Sequence, residues 1–162
     1  MADTLFKQTY DTVWAALDGD TDLSTFMGNG MKHKFSGPGD SAIVLRPSDC
    51  PALIMRPAGT GITIPDNSRQ TYAFAIEFEL ATHQQTWHHI CEFLARVIGR
   101  LTILVYANCG LSYQRKWSFS APAVKMGTLG KEGEEWAAWL CTFTLTLNIE
   151  RDAKNGGLFT TD

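Results

Sequence analysis

The sequence predicts an α+β fold, with a mainly antiparallel sheet of four to five strands and two main helices packed on one of its faces. Residues 70–80 alternate between apolar and polar side chains, which is typical of a half-buried strand. Residues 87–101 then place apolar side chains at i, i+3, i+4 and i+7, which is typical of an amphipathic helix. The strand and the helix bury their apolar sides most simply when the helix packs on the sheet. The apolar positions are Tyr72, Phe74, Ile76, Phe78 and Leu80 in the strand, and Trp87, Ile90, Cys91, Leu94, Val97, Ile98 and Leu101 in the helix.

Length and composition indicate one globular domain over residues 1–162. Hydrophobic residues make up 44% of the chain and charged residues 19%, so the composition is not that of a disordered protein. We expect no membrane span, because no apolar run approaches the ~20 residues that a span needs. The first residues also lack the features of a signal peptide, so we expect a soluble product made in the cytoplasm. The net charge of −3 and the scattered basic residues argue against a protein that binds duplex DNA.

The first part of the chain predicts a helix followed by a long loop. Apolar spacing predicts a helix over residues 3–17, with Asp3 or Thr4 as its N-cap. The apolar residues Leu23 and Phe26 follow, and we expect them to pack under this helix. Residues 27–50 form the first long loop, with strand-like pieces only at 32–35 and 42–45. Loops of this length are often functional or contact a partner.

The remaining segments predict three more strands. Residues 51–57 are predicted to be a short apolar strand flanked by prolines. Residues 59–68 are rich in residues that favour turns. Thr82 or Thr86 is the expected N-cap of the second helix. Residues 111–120 and 136–151 alternate again, and they flank a second long loop over residues 121–135. Residues 152–162 are predicted to be a flexible polar tail.

The last strand is predicted to be too long for one compact body. Sixteen extended residues span roughly 50 Å, whereas a domain of this size is roughly 40 Å across. The strand must therefore bend, carry a bulge or project as part of a long β-hairpin, and a projecting hairpin has too little core of its own. The core itself is predicted to be one cluster of Phe74, Ile76, Phe78, Leu94, Ile98, Phe143 and Leu145.

No catalytic, cofactor-binding or metal-binding motif stands out, so we predict no catalytic residues, no cofactor and no metal. The glycine pairs at 28–30 and 59–61 lack the context of a phosphate loop. Cys91 lies near His88 and His89, but its place on the apolar stripe favours a core thiol and solvated histidines. Glu77 and Glu79 share one strand face, where they are expected to be solvated or to meet a basic partner.

A mixed charged run around the second long loop is the candidate subunit interface. This run is either a solvent-exposed loop or one of two surfaces with complementary charge that meet between subunits. Arg115 interrupts the apolar face of its strand, which places that end near solvent or a partner. The candidate interface residues are Arg115, Trp117, Lys125, Lys131, Glu132, Glu134 and Glu135.

The order of segments resembles the tail terminator family of long-tailed bacteriophages and the related head–tail joining (neck) and tail-completion proteins. That order is a helix, a long loop, a proline-fenced strand, a long alternating strand, an amphipathic helix and a two-stranded hairpin. The segments that carry the resemblance are residues 4–17, 50–57, 71–80 with 86–101, and 111–120 with 136–151.

The resemblance implies a virion protein without enzymatic activity that forms a ring, usually a hexamer. Such a ring ends tail-tube growth and joins the tail to the head connector. The implied partners are further copies of the chain, the tail tube protein and the head–tail connector or neck protein. DNA passes through the lumen without sequence-specific binding, and weak acidity suits such passage.

Other functions remain open at this point. The chain is alternatively an adjacent neck, tail-completion or tail-tube-related ring protein. More remote alternatives are a small cytoplasmic α+β enzyme that uses Cys109, and a monomeric module that grips a peptide or nucleic acid.

Overall fold

The chain folds into three α-helices and a six-stranded sheet, as seen in a computed structural model that describes residues 4–36, 45–63, 71–83, 86–108, 116–119, 124–129 and 137–150. The predicted α+β class is confirmed, with a third helix in addition to the two expected. In chain order the elements are α1 (Leu5–Asp18), α2 (Thr21–Met27), β1 (Lys32–Lys34), a 3₁₀ turn (Pro47–Asp49), β2 (Ala52–Thr63), β3 (Thr71–His83), α3 (Trp87–Asn108), β4 (Lys116–Phe119), β5 (Val124–Leu129) and β6 (Ala138–Glu150).

The sheet is mixed and mostly antiparallel, with the order β1-β2-β3-β6-β4 and with β5 also paired to β6. Only the β1–β2 pair is parallel. β4 and β5 follow one another along the same edge of β6, and the register of β5 is shifted by one residue relative to β4. Six strands therefore occupy five positions in the sheet.

The central pair of strands, β3 and β6, matches along its whole length. The pairing runs from Thr71 opposite Glu150 to His83 opposite Ala138 without a break in register. β6 is therefore covered by a strand of equal length on one side. The segment that joins β5 to β6 lies outside the described residues, and so does the tip of the predicted hairpin.

The core lies between the helices and one face of the sheet. Phe78 and Ile76 on β3 are fully buried, and the Phe78 ring stacks on Phe143 of β6 at 5.0 Å. This confirms the predicted inner face of β3. The helix stripe is rotated from its predicted position, because Trp87 is 53% exposed while Phe93, which was not predicted, is fully buried.

The rotation of α3 follows from a second helix beside it. Phe26 of α2 packs against Phe93 at 5.4 Å, so the buried stripe must face both the sheet and α2. Leu94 and Ile98, which were predicted to belong to the core cluster, pack against it but are only partly buried. The stripe that is buried consists of Ile90, Phe93, Val97, Leu101 and Val105.

The N-terminal helices are held by side-chain caps. Thr4 caps α1, as predicted, by accepting a hydrogen bond from the Lys7 amide at 3.2 Å. The helix α2 was not predicted, and Asp20 caps it by accepting from the Leu23 amide at 2.8 Å. Within the predicted loop 27–50, the strand-like piece expected at 32–35 is confirmed as β1, and residues 37–44 lie outside the described residues. Gly30 there lies so close to the Pro51 carbonyl that a Cβ would clash with it, which fixes the approach of this segment to β2.

Several predicted boundaries were wrong. β2 continues past Pro57 to Thr63, because a break in register between Pro57 and Ile62 accommodates a residue that has no amide donor. Thr82 lies within β3 and is buried, so it is not a helix cap; Thr86 directly precedes α3. The predicted loop 121–135 contains β5.

Candidate subunit interface

The two edges of the sheet differ in length and chemistry. β1 forms one edge with only three residues, and its lysines are bound to the helices: the Lys32 ammonium lies 2.6 Å from the Ser24 hydroxyl, and that of Lys34 lies 2.9 Å from Asp11. β4 and β5 form the other edge. Within the described part of the chain, their outer sides pair with no further strand. Short, lysine-bearing edges resist pairing with other chains, whereas longer edges favour it.

The edge at β5 carries exposed apolar side chains. Val124 is 37% exposed and Met126 is 47% exposed. Their strand partners on β6 are Phe143 and Cys141, which belong to the buried core. Val124 and Met126 therefore extend the apolar face of the sheet to its rim, where the described helices leave them open to solvent. An uncovered apolar rim beside an unpaired strand edge is a candidate contact with another chain.

Exposed apolar residues also occur on α3, the helix that contacts β4. Ile103 is 59% exposed and Tyr106 is 78% exposed. Large apolar side chains are therefore displayed both by the free edge of the sheet and by a helix next to it.

Of the seven predicted interface residues, the structure places two on this edge. Lys125 is exposed on β5, between Val124 and Met126. Trp117 lies on β4 opposite Ile149, and its side chain is outside the described set. The other five, Arg115, Lys131, Glu132, Glu134 and Glu135, lie outside the described residues. Sequence reasoning missed Val124 and Met126, although the alternation of residues 124–129 was a weak signal for a short strand.

A groove of about 860 Å³ lies at the opposite edge, between α1 and the irregular part of β2. Aromatic rings line it: Phe6 packs against Phe74 with ring centroids 5.9 Å apart. The Tyr10 hydroxyl donates to the carbonyls of Phe35 at 2.7 Å and Met55 at 3.1 Å, which fixes that ring against the sheet. The full lining is Phe6, Lys7, Tyr10, Asp11, Lys34, Phe35, Ser36, Arg56, Pro57, Ile62 and Phe74.

The charged residues of the groove are arranged around Asp11. The Lys7 and Lys34 ammonium groups each lie 2.9 Å from an Asp11 carboxylate oxygen. The hydrogen bond from Lys7, aided by Lys34, lowers the pKa of Asp11 below its usual value. Lys34 also lies 5.8 Å from the centre of the Tyr10 ring. The groove thus combines apolar walls with a rim of paired charges.

The other face of the sheet carries an ion-pair cluster. Arg56 on β2 contacts Glu79 at 2.7 Å and Glu77 at 3.5 Å, both on β3. The guanidinium also lies 5.0 Å from the centre of the Phe35 ring. The prediction that these carboxylates meet a basic partner is confirmed. Because one arginine binds both, they form a structural cluster across two strands.

Among the described residues, no group of three or more histidine, cysteine or acidic side chains is arranged to hold a metal ion. His88 is exposed, but His89 stacks on Phe26 at 4.7 Å and is not the solvated residue that was predicted. Cys141 is buried, and burial raises the pKa of its thiol to about 11. Burial likewise raises the pKa of Cys50 to about 11. Cys109 lies outside the described residues.

Comparisons with known proteins give no match, either to a protein-family model or to a curated protein. None of the helices in the described ranges is long and apolar enough to cross a membrane.

Proposed function

We propose that this chain is a structural protein of a long-tailed bacteriophage, a ring-forming tail terminator that ends tail-tube growth and joins the tail to the head connector. The order of elements supports the proposal. α1 precedes the β2–β3 pair, α3 follows it, and β4, β5 and β6 close the sheet. This is the order on which the resemblance to tail terminators rests.

The β4–β5 edge of the sheet is the structural observation that supports the proposal. A strand edge with unpaired backbone groups and apolar neighbours gains stability when another chain covers it. The opposite edge at β1 is short and chemically different, so the two edges of the sheet present different surfaces. A contact between two different surfaces of identical subunits, repeated around an axis, closes into a ring when the rotation permits. The partners in this function are further copies of the chain, the tail tube protein and the connector.

The charge of the chain is compatible with DNA passing through the ring. The net charge is −3, with 14 basic and 17 acidic residues. Binding to the phosphate backbone depends on clustered lysine and arginine. In the part of the chain that the structure describes, Lys7, Lys34 and Arg56 are each paired to a carboxylate. Pairing of this kind leaves these three side chains with less charge to bind phosphates.

Charging the free edge tests whether it joins subunits. The variant Val124→Lys/Met126→Lys places two cations on exposed positions, so the fold should remain intact while the edge is blocked. We expect sedimentation velocity to find a closed oligomer for the wild type and a monomer for the variant. Trp87→Lys, which also charges an exposed apolar residue but lies off this edge, should assemble like the wild type. Unchanged assembly of the edge variant would rule out this edge as the contact.

The loop between β5 and β6 provides a second test, made on tails. Replacing residues 131–134 with Asn-Gly leaves the paired residues Leu129 and Ala138 in place, so the sheet should survive. If the loop helps to join the ring to its neighbours, tails assembled with this variant should lose their uniform length. Tails of normal length and normal attachment to heads would count against the loop.

A further inference from the structure

The groove at α1 and β2 has apolar walls, and its cations are already paired with carboxylates. Lys7 and Lys34 share the carboxylate of Asp11. Arg56, the third cation of the lining, is paired with two glutamates of β3. A charged occupant would have to break one of these ion pairs, whereas an uncharged apolar side chain gains stability from contact with the aromatic walls. The groove therefore favours an uncharged apolar occupant.

The groove lies beside an unpaired part of the β2 edge. β1 pairs only with Leu53–Met55 of β2. Among the described residues, the outer side of β2 from Arg56 to Thr63 pairs with no strand. Ile62 in this part lies opposite Phe74, on the face of the sheet that carries the helices, and is 43% exposed. Another strand can therefore approach the groove from the side.

The β5 edge carries apolar side chains that suit this groove. Val124 and Met126 are exposed there, and they lie opposite two core residues of β6. Both therefore point to the face of the sheet that carries the helices, as the groove does, whereas Lys125 between them points to the other face. The other large exposed apolar side chains outside the groove lie on α3, which has no strand edge to offer. Among the described surfaces, β5 thus combines exposed apolar side chains with an open strand edge.

The groove and the β5 edge cannot meet within one copy. Three strand spacings separate β2 from β5 in the sheet, which is about 14 Å. Phe74 at the groove lies opposite Leu147 of β6. Met126 lies opposite Cys141, six residues away on the same strand, which adds roughly 20 Å along the strand. Both surfaces belong to one sheet, so β5 can fill only the groove of another copy.

We infer that Val124 and Met126 of one copy bind in the groove of the next copy, with β5 alongside the open part of β2. The inference rests on the proposed function and names the surface that the β4–β5 edge meets. The thioether of methionine packs favourably against aromatic rings, which form the walls of this groove. Because the two surfaces lie at opposite edges of the sheet, the contact is head-to-tail, as a ring requires.

Chemical cross-linking between copies tests the contact directly. Ile62→Cys and isotopically labelled Met126→Cys are mixed in equal amounts, treated with a short bismaleimide and digested. Mass spectrometry should find residue 62 of one copy linked to residue 126 of the other. Ile62→Cys mixed with Ile103→Cys, which is also exposed but lies outside the groove and β5, should yield no such link. The inference is overturned if the first mixture yields no link both in free protein and on tail tubes, or if the control pair links equally well.

A charge placed in the groove tests the same contact through assembly. Ile62→Lys should weaken self-association by roughly tenfold or more in sedimentation equilibrium, because the contact would bury an unpaired ammonium group. Ile103→Lys, the matched control, should associate like the wild type. Unchanged association of Ile62→Lys would also overturn the inference. If Val124→Lys/Met126→Lys still abolishes the ring in that case, the proposed function stands and only the groove contact is wrong. Tails of uncontrolled length despite the 62–126 link would instead refute the terminator function and leave the contact in place.

Discussion

Phe78 and Phe93 are the largest fully buried side chains among the described residues, and truncating Phe78 tests the core at the sheet. The side chain is fully buried and stacks on Phe143 with ring centroids 5.0 Å apart. On its other side β3 pairs Phe78 with Met55 of β2, which is also fully buried. Replacing a buried phenylalanine by alanine costs about 3–5 kcal/mol, which combines the lost transfer of the ring from water and the cavity it leaves. Domains of this size have stabilities of about 5–15 kcal/mol, so the loss is large enough to measure.

Urea titration of wild type and Phe78→Ala, followed by circular dichroism, measures this loss. We expect the midpoint to fall by an amount equivalent to about 3–5 kcal/mol with an unchanged slope. Ile103→Ala is the matched control, because Ile103 is 59% exposed and its truncation should cost less than about 0.5 kcal/mol. A loss below about 1 kcal/mol for Phe78→Ala would mean that the two faces of β3 are assigned the wrong way round.

Two further predictions concern titrating groups. The pKa of Asp11 is lowered in the folded protein, so its ionised form stabilises the fold above a pH of about 3.8, and this contribution is lost as the pH falls through the folded value. The difference in unfolding free energy between wild type and Asp11→Asn should therefore shrink from pH 6 to pH 2.5, and a difference independent of pH would contradict the ion pairs. The buried thiol of Cys141, with its pKa raised to about 11, should react with iodoacetamide at pH 8 only after unfolding. Rapid labelling of Cys141 in the native protein, located by peptide mass spectrometry, would contradict its burial.

The elements with long, regular patterns could be predicted from the sequence. β3 and α1 have apolar side chains at one clear period, so their inner faces follow from local sequence alone. α3 was found, but the centre of its stripe was misplaced because apolar residues surround much of the helix. The side that is buried is decided by packing against the sheet and the N-terminal helices, including Phe26 on Phe93.

The short elements could be predicted only in part, because their stability comes from distant partners: a strand-like piece was expected at residues 32–35, whereas β5 was placed in a loop. β1 has three residues and exists through its pairing with β2 and the contacts of Lys32 with α1 and α2. β5 contains Gly127, which weakens a strand signal, and its register is supplied entirely by β6.

Of the interface residues predicted from the sequence, the structure describes the side chain of Lys125 alone, so that prediction stays a prediction. The prediction selected charged residues near the second loop, whereas the described edge also exposes the apolar Val124 and Met126 on either side of Lys125. The groove could not be predicted from the sequence, because α1, β1 and β2 meet there only in the folded protein.

Negative-stain imaging of the purified full chain, alone and with tail tubes assembled from the tube protein of the same phage, tests the central claim most directly. We expect closed rings of one size, bound at a single end of each tube and halting further addition of tube protein. Tubes that keep growing with no density at their ends, in the presence of excess protein, would contradict it.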